Sequence, residues 1–492
     1  MSRLVSVLHL VSVLHLVSVL QCIVGFSLLW SPGSSANAQS LEQRYQLGRR
    51  LARFEREWES ATAEQRLKST STMQQAVNGF FAAQLDAAIQ KLDQAWLETN
   101  PIESQNLREL IQEAGWFLRV GPLLVDSQAN TIALKLEPIP IRAQKEPAAQ
   151  AALEIRLDIV DRAGKVIRSR EWAAEAVDQT VLWQIDPLPE ADYRVSAKIR
   201  HGARVLDLVA NSISSVDQMA SRLERLRKWK ELQKGKPSSS EKATAVQLAN
   251  NILAAADGRL AESDLPIWQM LSNWEYLVTD NSSIKQLLEN SSGDSIWLQL
   301  VLGKAQQTVR LSTACRPEPM PLVIAFHGAG GSENMFFETY GAGRLIELCR
   351  ERGWIVVAPR QGIGGLAMGI DKIIEMLAEQ MPIDRSRVLL IGHSMGAAQA
   401  IQQVSTYPKN VRAVAAIGGG GQPTPSDALV TIPFFVAAGE KDFGLPRAKA
   451  LATTLRALGA TVDYQEVKEV EHMVIVQAVL DDVMRFFDTK IQ

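Results

Sequence analysis

Polar and apolar positions change period several times along the chain, and each change predicts a different kind of structure. After an uncharged apolar run over residues 4–30, the pattern up to about residue 123 is helical. Leu47, Leu51, Phe54 and Trp58 recur at i, i+4, i+7 and i+11, with Arg49, Arg50, Glu55 and Arg56 between them, which is the stripe of an amphipathic helix. Two further helices are expected near residues 73–97 and, after the break at Asn100-Pro101, near 102–118. The region 39–130 therefore reads as helical. Over 131–215 the period drops to two. Residues 152–160 alternate apolar and polar, Asp161 to Gly164 supply a turn, and strand-like runs follow at 180–185, 193–199 and 204–209. Short strands at this spacing predict a small β-sandwich.

Helical character returns over 216–290, interrupted by a Lys-, Gly-, Pro- and Ser-rich linker near 234–242. Its basic stretch Arg222 to Lys230 alternates with apolar residues and reads as a solvated helix face. From about 291 to 492, apolar strand-like runs (297–302, 309–312, 322–326, 355–358, 388–391, 411–417, 434–438) alternate with helical segments (343–352, 372–380, 396–406, 447–458). That alternation predicts an α/β domain, a mostly parallel sheet with helices on both faces, which handles ligands at the carboxyl ends of its strands.

Composition narrows the function classes. With 52 Lys and Arg against 54 Asp and Glu, the chain lacks the basic excess of a nucleic-acid binder. Three cysteines, Cys22, Cys315 and Cys349, exclude a disulfide scaffold and a Cys-rich zinc site. Cys315 and Cys349 read either as a pair or as two thiols. The run over 4–30 is longer than the roughly 7 to 15 residues of an export-signal core and reaches the about 20 of a membrane span. It contains the hexamer Leu4-Val5-Ser6-Val7-Leu8-His9, repeated from Leu10 and again, ending in Gln21, from Leu16. Without two of these copies it has the length of an ordinary signal core. Ala36-Asn37-Ala38 has the spacing of a signal-peptidase site, so residues 1–38 predict export, with a retained membrane anchor as the alternative.

The chemistry is concentrated in the last domain. Gly392-His393-Ser394-Met395-Gly396 follows a buried strand and opens a helix of small residues, the setting in which a tight G-x-S-x-G turn pushes a serine hydroxyl into a site. A serine nucleophile needs a base, and the base needs an acceptor to orient it. Of the six histidines, His472 is left as the base once those in the leader, the sandwich and the two motifs are set aside. Asp442, on the loop after the strand at 434–438, is the expected acid, with Glu440 as its rival. Met395 and, from the loop His327-Gly328-Ala329-Gly330-Gly331-Ser332, Ala329 and Gly328 are the candidate N–H donors to an oxyanion. Substrate-binding candidates are His327, Phe336 and Tyr340, with Met335 and Phe337 on the same apolar lip. Trp172 and Trp183 read either as core aromatics or as sugar-stacking platforms.

On the segment 321–328, the G-x-S-x-G turn, Gly439 to Asp442 and His472, the chain resembles the α/β-hydrolase superfamily. It looks closest to the secreted serine esterases of the feruloyl-esterase and polyhydroxybutyrate-depolymerase group and their prolyl-oligopeptidase-like relatives. The resemblance implies an α/β-hydrolase domain at 291–492 and cleavage of a carboxylic ester through an acyl-enzyme. A serine peptidase and a non-catalytic binding protein on the same scaffold are the alternatives. It implies no metal and no organic cofactor. The short segment between Gly421 and Ile432 leaves little chain for a cap, so an open site is expected, suited to an ester carried on a polymer or carbohydrate. No nucleic-acid partner is expected, and a membrane only if the N-terminal segment is retained.

Overall fold

The computed structural model describes residues 35–99, 115–138, 153–174, 180–201, 204–279, 282–291, 295–313, 316–362 and 364–491. The apolar run at 4–30, Cys22, Cys315 and most of the helix expected at 102–118 lie outside these residues. No helix among the described residues is long and apolar enough to cross a membrane.

Three helices open the fold: α1 (Ser35–Ser60), α2 (Ala63–Phe81) and α3 (Leu85–Thr99). Thr62 starts α2 with a capping box, its hydroxyl accepting the Gln65 N–H while the Gln65 side chain accepts the Thr62 N–H. The amphipathic stripe of α1 is buried, but not within a separate helical domain. Leu47, Leu51, Phe54 and Trp58 share one apolar core with Phe336, Leu345 and Leu480 of the last domain.

Strands β1 (Trp116–Gly121), β2 (Leu124–Asp126), β3 (Thr131–Pro138), β4 (Leu153–Val160), β5 (Val166–Ala174), β6 (Thr180–Gln184), β7 (Ala191–His201), β8 (Arg204–Ala210) and β9 (Ile213–Val216) form a second unit. They join in one branched sheet, with β7 bonded to β4, β8 and β9. Its limbs close on a common core that includes Leu118, Leu134, Leu157 and Ile199. The sandwich-like reading thus needs a correction at its start, which lies at Trp116 rather than at 131. The heptapeptide around Trp116 has a run of apolar residues too short to distinguish a strand from a helix turn. Trp172 and Trp183 are buried in this core and offer no face for sugar stacking.

Helices α4 (Met219–Glu231), α5 (Ser240–Ala256), α6 (Ile267–Leu277) and α7 (Ile284–Glu289) follow. They too are no separate region: Leu248, Met270 and Trp274 pack in the core that lies beneath the second sheet.

That sheet runs β10 (Ile296–Leu302), β11 (Ala305–Ser312), β13 (Ile355–Pro359), β12 (Met320–Phe326), β14 (Ile383–His393), β15 (Ala413–Ile417), β16 (Phe434–Gly439) and β17 (Val462–Val467) from edge to edge. Pairing is antiparallel from β10 to β13 and parallel from there on. Near-continuous apolar strands are what two covered faces require. The intervening helices are α8 (Arg344–Arg352), α9 (Ile370–Ala378), α10 (Met395–Thr406), the short α11 (Asp427–Val430), α12 (Leu445–Ala457) and α13 (Ile475–Lys490). The expected α/β architecture is present.

Candidate active site

Register places the site. Phe326 of β12 pairs with Gly392 of β14, so the loop leaving β12 and the turn leaving β14 emerge side by side at the carboxyl edge of the sheet. Ser394 occupies that turn at φ 58° and ψ −117°, a strained conformation for a residue with a side chain, and its N–H donates to the Ile417 carbonyl at 2.8 Å. Glycine is needed on both sides. A Cβ on Gly392 would stand 2.1 Å from the Gly396 oxygen, and one on Gly396 would stand 1.9 Å from the Phe326 oxygen. Helix α10 begins at Met395, so its unpaired N–H groups and positive dipole end lie at the serine.

Asp442 follows β16 and His472 follows β17, so both arrive at the same edge. His472 Nδ1–H donates to Asp442 Oδ1 at 2.7 Å, and the Ser394 hydroxyl lies 2.9 Å from His472 Nε2. A carboxylate only accepts, so Nδ1 carries the proton and Nε2 is free to accept from the serine. The Gly444 N–H holds Oδ1 as well, at 2.6 Å. The structure therefore brings Ser394, His472 and Asp442 together. Glu440 is elsewhere, accepting the Glu469 N–H at the surface, and buried Glu471 accepts the N–H groups of Met473 and Val474 at the start of α13. His393 Nε2 donates to the His472 carbonyl at 2.8 Å and so fixes the loop that carries the base.

The loop after β12 sorts the remaining candidates. The Gly328 N–H donates to the Tyr340 hydroxyl at 3.2 Å, which corrects its reading as an oxyanion donor. Ala329 and the helix start at Met395 are left. Tyr340 lines the cavity as expected, although its hydroxyl is engaged by Gly328. Phe336 does not line it: it is 1% exposed and packs edge-on against Tyr340, because the segment 335–339 turns its ring into the core. His327 is also corrected. Its Nε2 accepts the Gln361 N–H at 2.9 Å, so Nδ1 carries the proton and donates to the Gly328 carbonyl at 2.8 Å. Burial pulls this imidazole down to about 4, so it stays neutral and braces two loops.

Where an open site was expected, the structure shows a partly roofed one, with Ser394 still half-buried and not sealed. Helices α1–α3 roof the serine, and the cavity beneath them has a volume of about 100 Å³. Leu47, Leu51, Met73, Val77, Phe80 and Leu92 line it from above, facing Ala329, Met335, Ser394 and His472. The roof is tied down where it crosses the loops of the site. Arg44 donates to the Gly330 carbonyl, Thr70 to the Glu469 carbonyl and Gln74 to the Lys441 carbonyl, at 3.1, 2.8 and 3.0 Å. Phe443, 54% exposed, lies against the His472 ring with centroids 3.9 Å apart and meets Phe81 edge-on at 5.5 Å. Sequence reasoning missed Arg44, Glu262, the roof residues and Phe443. The buried stripe of α1 was visible in the sequence, but a stripe does not name its partner. Among the described residues, no group of three or more His, Cys, Asp or Glu could hold a metal ion.

Comparison with known proteins follows the same division of the chain. Residues 359–491 match the family described as phospholipase/carboxylesterase. No curated protein is similar enough to the chain to match. Among solved structures, the chain is similar to a thermostable esterase, at 20% identity and a TM-score of 0.35, over 40% of this chain and 63% of that one. The chain thus spans less than two thirds of the length of that esterase. It is also similar to an S-formylglutathione hydrolase from Agrobacterium tumefaciens, at 16% identity and TM-score 0.34, over 40% of this chain and 95% of that one. A feruloyl esterase module from Clostridium thermocellum aligns at 13% identity and TM-score 0.35, over 40% and 88%. The carboxyl-terminal domain of this chain has the α/β-hydrolase fold and resembles the serine esterases of that superfamily.

Proposed function

We propose that the protein is an exported serine hydrolase that cleaves a carboxylic ester through an acyl-enzyme. The observation that carries this reading is the continuous hydrogen-bond chain from the Ser394 hydroxyl through His472 to Asp442. Ester hydrolysis is the activity of the family that residues 359–491 match.

Ser394 Oγ attacks the ester carbonyl while His472 Nε2 takes its proton. The imidazolium formed is stabilised by Asp442, which keeps Nδ1 oriented. The carbonyl oxygen becomes an oxyanion, received by the N–H groups of Met395 and Ala329 at the start of α10 and in the loop after β12. His472 then protonates the leaving alcohol. A water enters, loses its proton to His472, attacks the acyl carbonyl and releases the acid and the free serine. No metal or organic cofactor enters any of these steps. Export rests on the leader-like sequence at 1–38.

The test is turnover by purified residues 39–492 of aryl esters from acetyl upward, a feruloyl ester and chromogenic peptides, with Ser394→Ala alongside. Ester turnover that disappears in the variant supports the reading. Peptide turnover alone makes the protein a peptidase, and no turnover with no labelling of Ser394 by a fluorophosphonate leaves only binding.

A further inference from the structure

We infer that helices α1–α3 form the acyl pocket of the enzyme, so that the acid half of its ester is a short aliphatic chain held by the N-terminal segment. The inference rests on the serine-hydrolase reading above and adds the substrate class to it.

Three observations carry it. First, the cavity at Ser394 is built from both ends of the chain, and its upper wall is apolar: Leu47 and Leu51 from α1, Met73, Val77 and Phe80 from α2, and Leu92 from α3. All of these side chains but Val77 belong to, or pack against, the core shared with α13, so most of the wall is a fixed part of the fold. Second, the cavity is small. About 100 Å³ is less than the roughly 150 Å³ apolar cavity that admits a benzene ring, and an apolar cavity of this kind favours an apolar occupant over water. Third, the surroundings of His472 differ on its two sides. One side faces the roofed cavity, whose edge is marked by the exposed Phe81, while the exposed Phe443 and Met395 lie outside it.

Chemistry assigns the two halves of the ester to these two places. The alcohol must depart while the acyl group stays bonded to Ser394 through a second step. The recess under the apolar roof suits the group that stays, and the exposed rim at Phe443 and Met395 suits the group that leaves. A bulky or polymeric alcohol is compatible with this arrangement because it remains outside the roof.

The experiment uses the purified full chain and two substrate series, one varying acyl length from acetyl to octanoyl on a fixed aryl alcohol, the other varying the alcohol on a fixed acetyl group. Each methylene that fits should raise kcat/KM by roughly fourfold, until the wall is reached and the value falls. Val77→Phe, which fills the cavity, should move that limit to shorter acids, and Leu51→Ala should move it to longer ones, with the order of preference among alcohols the same as in the parent. Melting temperatures report folding of each variant, and labelling of Ser394 by ethyl and octyl fluorophosphonates reads the same limit independently of turnover. A shift in the alcohol series instead, or no shift in either variant while ester turnover still depends on Ser394, overturns the inference and leaves the hydrolase reading standing. Absence of Ser394-dependent ester turnover in the unsubstituted protein removes both.

Discussion

Arg44, on the first helix of the roof, donates a 3.1 Å hydrogen bond from Nη1 to the carbonyl of Gly330, the residue after Ala329. The same guanidinium stands 3.6 Å from the Glu262 carboxylate, so it is held from behind while it holds the loop in front. Gly330 has φ 74°, a conformation glycine adopts freely, and the loop therefore depends on such contacts for its position. Arg44→Met is expected to lower kcat by roughly ten- to a hundredfold with KM little changed, because a small displacement of an oxyanion donor costs the transition state most. Steady-state kinetics on an aryl acetate separate the two constants. An unchanged kcat would mean the loop holds its shape without the arginine.

The site itself makes the sharpest demand on activity. Asp442→Asn removes the acceptor that selects the His472 tautomer, since an amide in its place can donate toward Nδ1. A loss of about 10⁴ in kcat is expected, smaller than the roughly 10⁶ of Ser394→Ala, with the melting temperature of each variant near that of the parent. The two losses should not add in the double variant, because both residues serve one step.

Gly396 gives a steric test of the turn. A Cβ there would lie 1.9 Å from the Phe326 carbonyl oxygen, which is strand backbone and cannot yield. Gly396→Ala is expected to prevent accumulation of folded protein, whereas Gly364→Ala, where no heavy atom lies within 4 Å, should fold as the parent does. Soluble yield and circular dichroism of the pair decide it.

The parts legible in the sequence were those whose physics is local. Each β-strand followed by a G-x-S-x-G turn or a glycine loop carries its own signal, so Ser394 and Asp442 could be found from strand ends, whereas His472 was reached by elimination among six histidines. The roof was not legible, because it depends on contacts between residues hundreds of positions apart: Leu47 and Leu51 mark a buried face but not what buries it. Tyr340 and Phe336 show the same limit within five residues, one ring lining the cavity and the other turned into the core. Strand β17 was missed because an edge strand, half exposed, reads Val-Asp-Tyr-Gln-Glu-Val rather than as an apolar run.

Acid sensitivity follows from His327. Its pKa falls from 6.5 to about 4 on folding, mainly through burial, so between those values the unfolded chain binds a proton that the folded chain does not. Stability must then rise with pH across that window and be lost as pH falls from about 6.5 toward 4. Buried Glu55 and Glu471, whose carboxyls burial pushes up, act in the opposite sense as pH rises above their unfolded values, so the parent's profile mixes the two. His327→Gln isolates the imidazole, since its amide oxygen can still accept the Gln361 N–H. Between pH 7 and pH 5 the parent should lose about 2 kcal/mol more than the variant in urea unfolding. Equal losses would show that His327 already titrates at its ordinary value.

The stability of the roof depends on a buried charge cluster. Arg50, fully buried, donates from Nε to both oxygens of Asp93 at 2.9 and 3.0 Å, and Arg53 donates to the same carboxylate. Burial pulls the Arg53 guanidinium down to about 10, an effect that the Asp93 charge opposes. Two cations thus rest on one anion that links α1 to α3. Asp93→Ala would leave both without it, at a cost of about 3–5 kcal/mol. Because α1 and α3 supply Leu47, Leu51 and Leu92 to the cavity, the loss should appear in selectivity before it appears in global unfolding. The expected result is a lowered melting temperature together with a flattened dependence of kcat/KM on acyl length. An intact length profile in a destabilised variant would separate the cluster from the pocket and assign it to the fold alone.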